Sequence, residues 1–474
     1  MGYETVIGLE IHAELATESK IYCSCSTQFG GEVNTHTCPI CTGMPGVLPV
    51  LNKKVVDYAI KAGLATNCSI TPYGKQDRKN YFYPDLPKAY QTSQYDLPIC
   101  VGGYLDIEVE GQTKRIGITR IHIEEDAGKL IHDQSADGSL VDYNRCGVPL
   151  IEIVTEPDMR SPEEARIFLE TIKSILEYIE VSDCKMQEGS LRCDVNLSVR
   201  PQGQKEFGTR TEMKNINSFR AAVRAMESER ARQIDLLDYD EEVVQETRRW
   251  DDAAGKSVAL RSKEEAHDYR YFPEPDLVPI VIDEAWVEQI RSTLPELPEA
   301  RKKRYMEEYN LPAYDAWFIT ASKKMAEFFD QTIACGADPK NVSNWIMGDI
   351  SRILNEKELE QVPFQPEYLA KMIQMIQQGT ISNTAGKKIV SALFEEPKDP
   401  EIIAKERNLI QVNDEGALRP IIEKIIQDNP QSVADFKAGK EKAMGFFVGQ
   451  AMRASKGAAN PQIINKLVRE ILSK

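Results

Sequence analysis

TVIGLEIHAE, residues 5–14, decides the fold of the N-terminal part of this chain. Ile7, Leu9, Ile11 and Ala13 alternate with Gly8, Glu10, His12 and Glu14. Successive side chains of a strand point to opposite faces, so the aliphatic set meets a core while Glu10, His12 and Glu14 share the other face. The pattern recurs in PLIEIVTE (149–156), where Glu152 shares a face with Leu150, Val154 and Glu156. In LRCDVNLSV (191–199), Leu191, Cys193, Val195, Leu197 and Val199 face one way and Arg192, Asp194, Asn196 and Ser198 the other. RTEMK (210–214) puts Arg210, Glu212 and Lys214 on one face, and ITRIHIEED (118–126) delivers Glu124, Glu125 and Asp126 at a strand end. Two readings are open from alternation alone. One is an ordinary solvated sheet face, which antiparallel sheets commonly have. The other is a face for hard divalent cations, which take oxygen ligands.

Length and composition narrow the class. At 474 residues the chain is long enough for about three domains at roughly 150 residues each. MGYETVIGLEI lacks a basic region followed by an apolar run, so no signal peptide is expected. No apolar run is long enough to span a bilayer, which needs about 18 residues. Four of the ten cysteines crowd into 23–41 and six are scattered singly, unlike a secreted disulfide framework. The expected compartment is the cytoplasm.

The formal charge of −16 argues against nucleic acid coating the whole surface. From Asp435 to Lys474, however, eight bases against three acids give +5, leaving −21 for the rest. Such asymmetry suits a local contact with an RNA backbone, and is also ordinary in basic helices.

The first ~290 residues read as strands and turns with two clear helices. Ser161-Pro162-Glu163-Glu164 starts one, with a Ser cap and a capping box, and Asn217 or Ser218 starts the other. Prolines in YRYFPEPDLVP (269–279) forbid helix and precede a domain border. From Pro295 onward the apolar spacing is helical, with Gly379 as a C-cap and a charged linker over Glu395–Asn408.

Two local motifs carry chemistry. Cys23-Ser-Cys25 and Cys38-Pro-Ile-Cys41 are tight pairs twelve residues apart, matching a closed tetrahedral zinc site of structural type; buried thiols or a redox pair are the alternatives. YGKQDRKNYFYPDLPKAYQTSQYDLP (73–98) interleaves Lys75, Arg78, Lys79 and Lys88 with Tyr81 and five further aromatics. Such a loop can clamp phosphates and stack on a purine, or pack on the sheet. The chain has no GxxxxGK[ST] loop, GxGxxG, GxSxG or HExxH, so any use of ATP relies on metal ions, loop bases and carboxylates.

Taken in order, VIGLEIHAEL, CSC…CPIC, GMPGVLPVLN, DRKNYFYPDLPKAYQTSQYDLPI, EEDAGK, PLIEIVTEPDMRSPEEA, EGSLRCDVNLSVR and DYRYFPEPD resemble the B subunits of aspartyl/glutamyl-tRNA amidotransferases. KAMGFFVGQAMRASKGAANPQ resembles that family's tail, which also occurs as the free-standing YqeY type. The likeness runs from about Val6 to about Leu472. It implies an α+β protein. An antiparallel-sheet cradle with a zinc-binding insertion would span 1–292, an all-α helical domain 293–406 and an all-α tail 407–474.

The implied activity is that of a ligase. ATP and Mg²⁺ phosphorylate the side-chain carboxylate of Glu-tRNA(Gln) or Asp-tRNA(Asn). Ammonia supplied by a glutaminase, the A subunit, then displaces phosphate, and a small C subunit makes up a heterotrimer. Neither membrane nor DNA is an expected partner. Carried onto matching positions, the resemblance implies Mg²⁺ at His12, Glu125 and Glu152, with Glu10 and Asp194 for a second ion. Glu124 is a substitute for Glu125, its neighbour on the opposite strand face. Lys79 and Lys88 would contact phosphate or line the ammonia exit, Arg192 would hold the γ-phosphate and Tyr81 would contact the nucleotide; Cys23, Cys25, Cys38 and Cys41 would hold zinc, and Lys440, Lys442, Arg453 and Lys456 would hold tRNA phosphates. A non-catalytic tRNA scaffold, or a carboxylate kinase or amide ligase acting on a free amino acid, are the other functions weighed.

Overall fold

A computed structural model of the protein describes residues 2–132, 138–262, 266–411, 414–437, 440, 442–455 and 459–473. It divides into two compact units, Met1–Leu297 and Pro298–Lys474.

The alternating segments of the first unit assemble into a nine-stranded sheet among the described residues. In chain order its strands are β1 (Tyr3–Glu14), β2 (Ser69–Ile70), β3 (Cys100–Val109), β4 (Gln112–Glu125), β5 (Pro149–Thr155), β6 (Leu191–Pro201), β7 (Thr211–Ile216), β8 (Glu246–Asp251) and β9 (Lys256–Ser262). Their order across the sheet is β9-β8-β7-β6-β1-β5-β4-β3-β2, and every pairing is antiparallel except β7 with β8. β1 sits at the centre, so its two faces are the most completely defined.

The aliphatic face of β1 is sealed by helices. Ile7, Leu9 and Ile11 join one core with Val55, Ala59, Phe168, Ile172, Ala221 and Met226. These come from α1 (Lys53–Ala65), α2 (Pro162–Tyr178) and α3 (Phe219–Asp238). The two expected helix starts are at Ser161 and Ser218, whose hydroxyls accept from the Glu164 and Ala221 amides. The capping box is shifted by one residue: the Glu164 carboxylate accepts from the Arg160 amide, 2.7 Å away, which anchors the approach to the helix. α1 is a helix that the reading by strands and turns passed over, although Asn52 caps it and Val55, Val56, Ala59 and Ile60 form a buried stripe.

Tyr269–Pro279 holds no α-helix; short strands at Phe272–Pro273 and Ile280–Val281 flank its prolines. Phe272–Pro273 pairs with Asp77–Asn80, which pairs in turn with Tyr90–Ser93. The Lys- and Tyr-rich loop therefore supplies two strands of a small three-stranded sheet.

The second unit is helical throughout its regular structure, from Pro298–Tyr309 to Pro461–Leu472. It has two apolar cores. One gathers Tyr305, Phe329, Ile346, Leu369, Ile389 and Leu393 and extends to Ala404. The other gathers Leu418, Ile422, Phe447, Ile464 and Leu467. The expected linker at Glu395–Asn408 is corrected: Pro400–Glu406 is a helix capped by Asp399, and Ile403 and Ala404 belong to the first core. Pro400 stands at the first helical position, where proline starts a helix instead of breaking it. Gly379, with φ +71°, follows the helix Pro366–Gln377. No helix among the described residues is long and apolar enough to cross a membrane.

Candidate active site and metal centres

The polar face of the sheet carries the chemistry, because residues paired across antiparallel strands share a face. His12 of β1 lies opposite Glu152 of β5 and Arg192 of β6, and Glu152 lies opposite His122 of β4. Leu150 lies opposite Glu124, so Glu124 shares this face and Glu125, opposite Pro149, does not.

Three side chains converge here: ligand atoms of His12, Glu124 and Glu152 all lie within 4.8 Å of one another. His12 Nε2 is 3.3 Å and His122 Nε2 3.5 Å from Glu152 Oε2, and His122 Nε2 is 3.6 Å from Glu124 Oε2. Burial opposes ionisation of Glu152, but His122 and His12 outweigh it and hold the carboxyl well below its ordinary range. Burial likewise opposes the charge on Glu124, and Lys79 with His122 outweighs it. Lys79 Nζ stands 3.7 Å from Glu124 and stays charged against its burial because of Glu124 and Glu152. Two atoms in this knot, Glu124 Oε2 and His122 Nδ1, are buried without a hydrogen-bond partner. Lys79 Nζ and His122 Nε2 face that Glu124 oxygen only from beyond hydrogen-bond distance, at 3.7 and 3.6 Å, and the donor set fits a divalent ion with mixed oxygen and imidazole ligands.

The position expected for Glu125 is thus taken by Glu124. Glu125 turns to the other side of the strand end, where its carboxylate accepts from the Thr92 amide at 2.8 Å and pairs with Lys88. Strand alternation carries the distinction, and it also points to His122, which the sequence reading passed over although it lies two residues before Glu124.

A second acidic group adjoins the first. Glu10 of β1 lies opposite Asp194 of β6, and ligand atoms of Glu10, Asp194 and Glu212 lie within 4.8 Å of one another. Glu212 belongs to the RTEMK alternation, which carries no signal of its own for a metal ligand. Asn196 donates to Glu10 at 2.8 Å, Thr247 donates to Glu212 at 2.8 Å, and Lys214 pairs with Asp194 and Glu212. Lys214 therefore already balances part of the charge a second cation would balance.

Arg192 is engaged by Asp126, which also faces Arg145 Nε at 3.7 Å. Glu14 completes this cluster. Burial first, then the charge of Asp126 and a hydrogen bond to it, push the Glu14 carboxyl up to about 8. Lys88, Lys79 and Arg192 thus each face a carboxylate, and Tyr81 packs edge-on to Tyr269, centroids 6.0 Å apart.

The four cysteines of the two pairs converge as well, with Sγ atoms within 4.8 Å of one another. Cys38 and Cys41 Sγ are 3.9 Å apart, close to the ~3.8 Å that ~2.3 Å bonds and tetrahedral angles require. The Cys23 thiol, donating toward Cys41, lowers the Cys41 thiol to about 5, and burial raises Cys25 to about 11. Four convergent sulfurs at this spacing fit zinc.

Of the tail residues, Lys440 is exposed and pairs with Asp435 at 2.9 Å, and Arg453 is exposed in the last turn of Lys442–Ala454. The side chain of Lys442 and all of Lys456 lie outside the described residues.

Comparison with known proteins places this geometry in a class. Residues 5–288 match the GatB/GatE catalytic domain and residues 327–472 match the GatB domain. The whole chain is 64% identical to the aspartyl/glutamyl-tRNA(Asn/Gln) amidotransferase B subunit of Caldicellulosiruptor bescii, over the full length of both. It is 63% and 60% identical to those of Caldicellulosiruptor saccharolyticus and Thermoanaerobacter pseudethanolicus, again over the full length of each. The first unit is thus built on the GatB/GatE type of catalytic domain. The chain belongs to the family of aspartyl/glutamyl-tRNA(Asn/Gln) amidotransferase B subunits, ligase-type enzymes of tRNA-dependent amidation.

Proposed function

We propose that the polar face of the central sheet activates the side-chain carboxylate of a tRNA-borne Glu or Asp with ATP and then amidates it. The carrying observation is the His12–Glu124–Glu152 knot, with its buried, donorless Glu124 oxygen, next to the Glu10–Asp194–Glu212 group. In phosphoryl transfer to a carboxylate two anions must approach in line, and bound Mg²⁺ would neutralise the charge developing on the transferred group.

The chain's own residues do the rest. Glu124 and Glu152, kept ionised by their cationic neighbours, would supply oxygen ligands to one ion, and His12 would supply imidazole or hold a water. Glu10 and Asp194, joined by Glu212, would hold the second ion. Lys79 and Lys88 lend positive charge around the phosphates or the ammonia exit, Arg192 holds the γ-phosphate, and Tyr81 walls the same loop. In the reaction the substrate carboxylate oxygen forms a bond to the γ-phosphorus while the bond to ADP breaks. Ammonia then bonds to the acyl carbon, phosphate leaves, and a proton is lost from nitrogen.

The relatives' names support a role as one member of a multi-subunit amidotransferase. In this reading its partners are the amidase, or A, subunit together with the small C subunit, and its substrates are Glu-tRNA(Gln), Asp-tRNA(Asn) or both. Lys440, Lys442, Arg453 and Lys456 would position tRNA by its phosphates. We read the zinc as structural, within a cradle of 1–292 followed by a helical domain and a tail from 407. The cytoplasm suits the cysteines, four of which cluster as candidate zinc ligands while six are scattered singly. The test is ADP release by the assembled complex in Mg²⁺ without glutamine. Release that depends on Glu-tRNA(Gln) or Asp-tRNA(Asn) is expected. Binding of both charged tRNAs with no ADP from either would leave a scaffold.

A further inference from the structure

Lys20 is the most buried cation of the first unit that the proposed chemistry does not use. Its relative exposure is 0%. Its ammonium donates to the carbonyl oxygens of His36 at 2.7 Å and Tyr143 at 3.3 Å, and its third direction points to Cys41 Sγ at 3.8 Å. Among the described residues no carboxylate pairs with it. A buried ammonium without a counter-charge is costly, so this arrangement calls for an anion in the third direction. Four thiolates around one Zn²⁺ carry a net charge of −2 and lie in that direction.

The position of Lys20 also joins three segments. Its backbone amide bonds to Cys25 in the first cysteine turn, its ammonium reaches the second turn at His36 and Cys41, and Tyr143 opens the turn that ends at Gly147. Gly147, with φ +79°, sits where an added Cβ would meet Cys41 Cβ at 3.5 Å, Lys20 Cδ at 3.7 Å and Glu125 Oε2 at 3.9 Å. Its amide bonds to the Asp126 carbonyl at 2.9 Å. The second cysteine turn in its turn lies against Lys88, because a Cβ on Gly43 would collide with Lys88 Cγ. The cysteine turns, Lys20, Lys88 and Glu125 line one shared cavity.

We propose that Lys20 is the buried counter-cation of the zinc–thiolate centre, and that it ties this centre to the strand end bearing Glu125 and Asp126. The inference rests on zinc occupying the four thiolates. It assigns Lys20 as a positioning residue: it touches neither substrate nor reacting atoms, and it stabilises the sulfur charge that holds the metal.

The test uses the full-length chain loaded with zinc, with metal content measured first. Absence of zinc from the wild type would remove the zinc reading itself. With zinc present, release to a chromogenic chelator is followed for wild type, K20M, K20Q and K20R. K20Q keeps donors for the two carbonyls but loses the charge, whereas K20R keeps the charge. Release ten- to a hundredfold faster in K20M and K20Q, and within about threefold of wild type in K20R, is expected from the usual weight of groups that support metal ligands. If K20M does not fold, K20Q carries the comparison. In Co²⁺-loaded protein the sulfur-to-metal charge-transfer band should move to longer wavelength in K20Q, because removing a nearby cation raises the energy of the sulfur electrons. Release from K20Q at the wild-type rate, with an unmoved band, would overturn the role of Lys20 while leaving zinc in place.

Discussion

Replacing Glu124 by Gln tests the assignment of the metal site most directly. The change is nearly isosteric and removes one negative charge from a buried group whose Oε2 has no hydrogen-bond donor. The ligand atoms of His12, Glu124 and Glu152 lie within 4.8 Å of one another, so a cation among them stands close to all three. A unit charge and a divalent ion at about 4 Å and an effective dielectric constant of about 20 attract by about 8 kcal/mol, much of which offsets the cost of stripping water from both. An amide oxygen can still ligate and recovers part of this. E124Q should therefore raise the Mg²⁺ concentration for half-maximal ADP release about a hundredfold. Lys79 loses a charged neighbour in the same variant, so a thermal melt accompanies the assay and the Mg²⁺ titration is read on folded protein. E125Q, which alters the Lys88 pair, should leave the Mg²⁺ requirement within about threefold of wild type even where it lowers turnover, since a threefold change is well under 1 kcal/mol. An unchanged Mg²⁺ requirement in E124Q together with a large rise in E125Q would refute the strand-face argument.

Glu14 gives a pH dependence of known sign. Its folded carboxyl titrates near 8 against about 4.5 for an unburied one, so the folded chain holds a proton that the unfolded chain has released. Stability therefore falls as pH rises through that window, and E14Q should flatten the urea midpoint between pH 5 and 8 in Mg²⁺-free buffer. Removing zinc with a chelator should lower the melting temperature of the first unit, because the cysteine turns have no regular secondary structure to hold them; an unchanged melt would show that the turns stand without metal. S161A should cost about 1 kcal/mol, seen as a lower denaturant midpoint, through loss of the α2 cap. Neutralising Lys440 and Arg453 together should lower the log–log salt slope of tRNA affinity by about two, one per phosphate contact; an unchanged slope would move the RNA contact elsewhere.

Much of the fold was legible because strand alternation is a local property. TVIGLEIHAE determined which face of β1 meets helices, and LRCDVNLSV and PLIEIVTE did the same for its two neighbours. The cysteine spacing determined a four-sulfur centre, and Ser161 and Ser218 determined helix starts, because capping is settled within four residues. α1 is less legible, a helical stripe set among strands, and so is Pro400, a proline in a charged stretch that starts a helix. What only the tertiary structure decided is which acids meet. Glu124 and Glu125 are adjacent in sequence, yet the register of β4 on β5 sends one toward His12 and Glu152 and the other toward Lys88 and Thr92. The pairing of Lys79, Lys88 and Arg192 with carboxylates, and the burial of Lys20 beside Cys41, depend on contacts between segments distant in the chain. The sequence determines which side chains share a strand face, because pleating has a period of two. Only the packed sheet decides which of them come within reach of one cation, because register and loop docking are set by the burial of the opposite face.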